Sequence, residues 1–422
     1  MLKPESIILH LNRFKSLKFR FQEADFSHFS NNPGVSVHIP FCNRNCPFCP
    51  VYKVEPNETL IERFIARLLD EILKSPVSGP ADWVHFSGGC PSLLKFEQLS
   101  TISNALRKKF SFSTMGIDLL PEKIDPTYFS ELKNLGFTHI NAGIQSFSSQ
   151  SRSLSAIHDS NQFPLLDFIR SAKSAGLFIN AELLTGIPGT SADSLQFDLF
   201  QLLSVLPDQV TVRPFIVLPP VTLKPVLEDR EQFALIEWSA GLLTGHGYYR
   251  TGLWTFSKTG ETYNIPLKQL SSDFVGFGSF AFSVSEKAYS VNPVLPVYLN
   301  PSEKRVLVAE RSTHDEDWGK FVKSIFEMKL TGQTYSDPVL QLFIVWLKSS
   351  GHVKAKSLTP KGIKFAHKLI KSVFESFSLP FENPELILNS EDYMTAVLNS
   401  QPLELTEENL LSSQLNMNRK TL

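Results

Sequence analysis

The sequence predicts an α/β protein: a partial (β/α)6 TIM-like barrel followed by a mainly helical C-terminal domain. Three observations carry this expectation. From residue 34 to about 250, short β-branched or aromatic runs alternate with amphipathic stretches of helical period. Polar and glycine-bearing segments follow the strand-like runs, at the edge where parallel sheets place their sites. Beyond about residue 300 helical periodicity takes over.

In order, GVSVHIP (34–40) reads as a strand, ERFIARLLDEILK (62–74) as a helix and WVHFSGG (83–89) as a second strand. The alternation continues through FEQLSTISNALRKKF, TMGIDLLP, PTYFSELKNLG, THINAGIQS, PLLDFIRSAKSAG, FINAELLTGIPG, SADSLQFDLFQLLSVL, QVTVRPFIV and QFALIEWSAGLLTGHG, a total of six strands and six helices. Parallel neighbours need crossover connections, which these helices supply. Six units do not close an eight-stranded barrel, so an open partial barrel is expected, with a doubly wound sheet as the alternative.

Residues 1–33 are expected to form an N-terminal extension packing on the barrel, and 34–250 the barrel. Residues 251–300, rich in glycine and aromatics, are placed over the barrel opening; VNPVLPVYLNP (291–301) reads as a linker. Residues 301–400 form the helical domain through DWGKFVKSIFEMKL, VLQLFIVWLKSSG and GIKFAHKLIKSVFESF, with a hairpin-like turn at HVKAKSLTPKG. Residues 401–422 read as a polar tail.

The 41 Lys+Arg against 42 Asp+Glu give a net charge of −1, so no net field argues for nucleic acid or an anionic membrane as partner. No apolar run approaches the roughly 18 residues that span a bilayer, and the N-terminus lacks a secretory apolar core. A soluble cytoplasmic protein is the expectation.

Three of the four cysteines, Cys42, Cys46 and Cys49, fall within HIPFCNRNCPFCP, just after the first strand. Four cysteines in so long a chain build no disulfide framework, and close-set thiols are more often metal ligands or redox groups. A 4Fe–4S cluster prefers thiolates and wants four ligands, so three would leave one iron open. Structural zinc is the other reading; it usually takes four protein ligands, with His38 as the nearby fourth candidate.

The cysteine loop, with Phe48 as the aromatic before its third cysteine, resembles that of the radical S-adenosylmethionine (SAM) superfamily. The resemblance implies that SAM chelates the open iron and is cleaved by one electron to a 5′-deoxyadenosyl radical. More of the chain resembles the family of oxygen-independent coproporphyrinogen III oxidase. The matching strings are Val37 to Cys42; Phe86-Ser87-Gly88-Gly89-Cys90-Pro91-Ser92-Leu93-Leu94; Gly143-Ile144-Gln145-Ser146-Phe147; Glu182 to Gly189; Asp273 to Ala281; and Leu358 to Gly362.

This resemblance implies Cys42, Cys46 and Cys49 as cluster ligands. It implies Phe48, Gly88, Gly89, Cys90, Asp118, Gln145 and Glu182 as cofactor-binding residues, with Gly88 and Gly89 meeting the SAM amino group, Glu182 a ribose hydroxyl, and Asp118 and Gln145 also catalytic. Three departures from the family stand out: Cys90 replaces Thr, Asp118 replaces Glu and Glu182 replaces Asp. A fourth is larger: Ala156 stands where the family has Arg, before Ile157-His158-Asp159. Arg152, one helical turn away, is either a substitute or an exposed helix residue.

Val51 stands where coproporphyrinogen oxidases carry a further Cys, and the H-N-x-x-Y-W segment of the related heme chaperones is missing. Tyr263, Asn264 and Lys268 occupy that region and, with CPFCPVY, resemble the anaerobic heme-utilisation and class C methyltransferase branch. These three and the loop 273–281 are the expected substrate contacts. The resemblance implies an enzyme that modifies a tetrapyrrole (heme-type) or other conjugated ring, by radical methyl transfer or oxidation, with an electron donor such as flavodoxin or ferredoxin. The alternatives are a heme-binding or trafficking protein with a cluster and little turnover, and a coproporphyrinogen dehydrogenase-like enzyme.

Overall fold

The computed structural model describes residues 19–23, 29, 32–44, 46–121, 125–157, 165–218, 221, 223–302, 304–330 and 334–377. The expected tail 401–422, most of the N-terminal extension, and His158 and Asp159 lie outside the described residues.

After β1 (Arg20–Glu23) and β2 (Gly34–Ile39), helix α1 (Glu58–Lys74) begins where the Asn57 side chain accepts from Leu60 N, and buries Phe64, Ile65, Leu68 and Ile72 at helical spacing. Losing one of these, as in Leu68→Ala, costs about 2–5 kcal/mol. The chain continues through β3 (Gly79–Pro80), β4 (Val84–Gly88), α2 (Phe96–Lys109), β5 (Phe110–Ser111), β6 (Met115–Leu119), α3 (Pro126–Asn134), β7 (His139–Gln145), α4 (Ser149–Leu154), α5 (Leu165–Ser174), β8 (Phe178–Thr185), α6 (Ala192–Val205), β9 (Gln209–Pro214) and α7 (Asp229–Gly245).

Strands β2, β4, β6, β7, β8 and β9 are parallel neighbours in that order. A doubly wound sheet reverses direction at a switch point, whereas this one proceeds in chain order throughout, as a partial barrel does. The two faces separate by the strand period of two. Val35, Val37, Val84, Phe86, Ile117, Ile140, Ile179 and Val210 turn to the helices and are fully buried. The residues between them, among them His38, His85, Asp118, Asn141, Glu182 and Arg213, face a cavity inside the sheet.

Next come β10 (Tyr249–Arg250), β11 (Thr255–Ser257), α8 (Ile265–Ser271), β12 (Phe274–Phe277), β13 (Phe282–Val284), β14 (Ala288–Val291), α9 (Leu295–Tyr298) and β15 (Arg305–Glu310). Here the structure departs from the expected cover. β11 pairs antiparallel with β9, while β12 pairs parallel with β2 and leads into β13, β14, β15 and β1, giving a 13-stranded sheet. Residues 251–300 thus extend both edges of the sheet, because their aromatic runs are short strands. The expected linker 291–301 contains the end of β14 and the helix α9, and β15 is a strand in the region read as helical.

Helices α10 (Thr313–Phe326), α11 (Pro338–Ser349) and α12 (Pro360–Phe377) follow, with the hairpin β16 (Val353–Lys354) and β17 (Ser357–Leu358) between the last two. Trp254 Nε1 donates to His367 Nδ1 at 2.9 Å, which ties α12 to the barrel side.

Candidate active site

The cysteine loop leaves the carboxyl end of β2 and is closed at its base: Val54 N donates to Pro40 O at 2.6 Å and Cys42 N to Val54 O at 3.0 Å. Cys49 N donates to Cys46 O at 3.1 Å, a turn that brings the second and third cysteines to one side. All three are half-buried free thiols lining one cavity of about 540 Å³. Burial pushes the Cys42 and Cys46 thiols above the ordinary range, while the positive charges of Lys53 and Arg44 act the other way. His38 lies behind the loop with Nδ1 2.6 Å from Ser279 O, and burial lowers its pKa to about 4.

Gly88, at φ +109, and Gly89 turn β4 onto the root of this loop. Gly89 N donates to Ile39 O and Cys90 N to Phe41 O, both at 2.7 Å. A Cβ on Gly89 would lie 2.3 Å from Phe41 O, so backbone packs on backbone there and only glycine fits. Cys90 is buried with Sγ 3.1 Å from Ser92 Oγ, and it lines the cavity, as does Phe48.

Asp118 sits on the cavity wall, its Oδ1 accepting from His85 Nε2 at 2.9 Å. Gln145 ends β7 at φ +65, a left-handed conformation that costs a non-glycine residue about 1–3 kcal/mol, and the pairing with β8 shifts register there. Two groups hold this bend. Arg152 donates through one nitrogen to Ile144 O and Ser146 O, both at 2.9 Å. Asp198 accepts from Ser146 Oγ at 2.8 Å, Phe147 N at 2.7 Å and Ser148 N at 3.2 Å. Arg152 is only 4% exposed, which corrects the reading of an exposed helix arginine: its side chain folds back over the bend.

Glu182 Oε1 takes Arg213 at 2.6 Å and Asn180 Nδ2 at 3.3 Å. Arg213, His85 and Asn141 line the cavity and were missed in the sequence. The alternation within VTVRP, WVHFS and THINAG carried the signal, since each occupies the polar phase of an otherwise apolar strand.

The expected substrate residues are elsewhere. Tyr263, Asn264 and Lys268 do not line the cysteine cavity, although Ile265, Pro266 and Gln269 of the same segment do. Tyr263 is buried under the sheet, Asn264 caps α8 by accepting from Leu267 N, and Lys268 lies 5.9 Å from the Tyr263 ring centroid. In the loop 273–281, Asp273 pairs with Arg311 at 2.9 Å and Gly278 N donates to Glu71 at 2.9 Å, contacts that hold β12 in place.

Comparisons with known proteins show what the chain is similar to. Residues 36–199 match the family model described as the radical SAM superfamily. An oxygen-independent coproporphyrinogen III oxidase from Synechocystis sp. is 25% identical over 69% of this chain and 69% of its own length. That of Escherichia coli is 23% identical over 61% of this chain and 62% of its own length. A protein named heme chaperone HemW from Buchnera aphidicola is 26% identical over 57% and 67%. The solved coproporphyrinogen III oxidase of Escherichia coli, titled a radical SAM enzyme, superposes with a TM-score of 0.70 at 20% identity, over 85% of this chain and 95% of that one. The chain carries a radical SAM domain and is homologous to the oxygen-independent coproporphyrinogen III oxidase and heme chaperone family.

The cofactors of such a domain are a 4Fe–4S cluster and SAM. The donor set fits them. Three soft thiols stand at one cavity, and a cubane presents a separate iron to each thiolate, so its ligands need not meet at one point. Among the described residues no three His, Cys, Asp or Glu side chains are placed to hold a single metal ion.

Proposed function

We propose that this chain, which carries a radical SAM domain, is an enzyme acting on a tetrapyrrole or similar conjugated ring in the cavity enclosed by its six parallel strands. The observation that carries the reading is one cavity lined by Cys42, Cys46 and Cys49 at its mouth and by Gly88, Gly89, Asp118, Gln145 and Glu182 on its walls. Cys42, Cys46 and Cys49 would hold the cluster, and the other residues would hold SAM. When bound, these cofactors supply one-electron radical chemistry.

The chain's own residues bind, orient and exclude water. Asp118 and Glu182 each keep one carboxylate oxygen engaged with the protein, which fixes the direction in which the other accepts. Gln145 can donate and accept from its strained position at the strand end. Phe48, with Ile157, Ile187 and Phe215, makes an apolar flank that keeps water from the cysteine side. The tetrapyrrole class follows the relatives named coproporphyrinogen III oxidase and heme chaperone, and a ferredoxin or flavodoxin is the class of reductant proposed.

The test is anaerobic reconstitution with iron and sulfide, reduction with dithionite and addition of SAM. 5′-Deoxyadenosine supports the enzyme. S-adenosylhomocysteine formed alongside it marks methyl transfer, the finer expectation. Replacing Cys42, Cys46 or Cys49 by Ala removes the brown absorption of a thiolate-ligated cluster; a retained cluster in all three variants overturns the assignment. A second reading is favoured by the homologue named a heme chaperone and by Ala156 in place of the family arginine: heme binding without SAM cleavage.

A further inference from the structure

We infer that Tyr263 and His85 form a buried clamp that fixes the orientation of Asp118 in the cysteine cavity, making Tyr263 a positioning residue for that site. What Asp118 contacts rests on the reading above; the clamp itself rests on geometry. His85 is 1% exposed and bridges two groups, with Nδ1 2.7 Å from Tyr263 Oη and Nε2 2.9 Å from Asp118 Oδ1. With His85 neutral, one arrangement of hydrogens satisfies all three. A carboxylate accepts and never donates, so Nε2 carries the proton; Nδ1 is then the acceptor, and the Tyr263 hydroxyl donates to it.

The structure is shaped around this chain of contacts. Tyr263 is 4% exposed and stacks on His139 with ring centroids 4.2 Å apart. Its hydroxyl reaches His85 because residue 116 has no side chain, as a Cβ on Gly116 would lie 1.8 Å from Tyr263 Oη. Gln209 fastens the backbone of Tyr263 on both sides, its Nε2 donating to Tyr263 O and its Oε1 accepting from Tyr263 N, each at 2.9 Å.

The clamp has work to do at Asp118, whose side chain is 41% exposed to the cavity and would otherwise choose among rotamers. Holding Oδ1 leaves Oδ2 as the acceptor for a ligand N–H or O–H, and pre-organisation of this kind lowers the cost of ordering on binding. The clamp does not pass protons. Burial and the nearby Asp118 charge hold the Tyr263 hydroxyl well above its ordinary pKa, so it stays a donor.

The test uses the full chain with its cluster reconstituted, labelled with 15N-histidine, as wild type and Tyr263→Phe. The His85 nitrogens of the wild type should report one fixed tautomer with the proton on Nε2. In Tyr263→Phe they should move toward tautomer-averaged values, and SAM affinity should fall about 3- to 10-fold, the scale of one hydrogen bond. Gly116→Ala places a Cβ 1.8 Å from the same hydroxyl and 2.9 Å from His85 Nδ1, between the two partners, and should reproduce the tautomer change. A merely structural role lowers Tm and leaves tautomer and affinity alone. A wild-type His85 protonated on Nδ1, or a Tyr263→Phe protein with unchanged tautomer and affinity, overturns the inference. If the wild type binds no SAM, the cavity reading falls while the tautomer measurement still decides the clamp.

Discussion

Arg152→Ala separates a structural arginine from a ligand-binding one. The guanidinium is buried and satisfies two carbonyls, Ile144 O and Ser146 O, that flank the left-handed Gln145. Truncation leaves Ser146 O buried without that donor, at about 1–3 kcal/mol before partial relaxation, and removes one of two donors from Ile144 O, which keeps Ser146 N at 2.9 Å. The bend also loses one of its two restraints, so the roughly 1–3 kcal/mol of strain at Gln145 can relax toward an extended backbone. A net loss of about 1–3 kcal/mol follows, read as a fall in the urea midpoint and in Tm. Arg152→Lys, a single donor of different reach, should recover less than half. Weaker SAM binding should accompany the loss of stability, because Gln145 is then no longer held toward the cavity. An Arg152→Ala protein that unfolds like wild type yet loses SAM affinity would refute this reasoning and place the guanidinium on the ligand, as a substitute for the arginine missing at Ala156.

Three further outcomes follow from the geometry. Gly89→Ala brings a Cβ to 2.3 Å from Phe41 O and 3.2 Å from Cys42 Cβ, so the reconstituted protein should bind less iron and sulfide while far-ultraviolet dichroism stays near wild type. Arg213→Met leaves Glu182 with the weaker Asn180 contact alone and should reduce SAM affinity several-fold; Arg213→Lys should restore part of it, and an unchanged affinity in Arg213→Met would remove the pair from the site. Acidification should destabilise the fold between pH 6.5 and about 4. Burial lowers His38, His139 and His367 from 6.5 to about 4, so across that window the unfolded chain binds more protons and stability rises with pH. Asp198, raised by burial to about 6, and Glu71, also raised by burial, oppose this by favouring the folded state at low pH, but they are two carboxyls against four imidazoles once His352, which burial also lowers, is included. A urea midpoint that does not fall from pH 7 to pH 4.5 contradicts the assignment of these imidazoles as buried and neutral.

The fold was legible because its signals are local. Each of the six strands and six helices sits in a stretch whose period of two or 3.6 is set by burial of one face, and the cysteine spacing is contiguous in the chain. What escaped depends on distant pairing. Nothing in FVGF announces that β12 will lie beside β2, because four apolar residues fit a sheet interior, an edge or a packed loop equally well. Tyr263 and Lys268 read as substrate contacts because their run of residues resembles the anaerobic heme-utilisation branch. His85 and Gly116, the actual neighbours of Tyr263, come from strands 147 or more residues earlier, and no spacing rule connects them. Arg152 misled for a related reason: helical position gave its direction of departure but not that its long side chain folds back over the bend before its own helix.

The missed residues share one property that makes the site intelligible. His85, Asn141, Asn180, Thr211 and Arg213 stand in the polar phase of strands whose other phase is fully buried and apolar, and a strand can keep such a row only if the polar groups find partners. His85 finds them in Tyr263 and Asp118, and the others in one network: Thr211 Oγ1 donates to Asn180 Oδ1 at 2.9 Å, Asn180 Nδ2 to Asn141 Oδ1 at 2.5 Å and, at 3.3 Å, to Glu182, which also takes Arg213. This lattice runs across β7, β8 and β9 and ends at Glu182, which Asn180 and Arg213 hold, while Asp118 is held separately through His85 and Tyr263. Each carboxylate is therefore set from within the sheet. A substitution within this lattice should be felt first in ligand geometry, since the apolar phase of the same strands, packed on the helices, carries most of the stability.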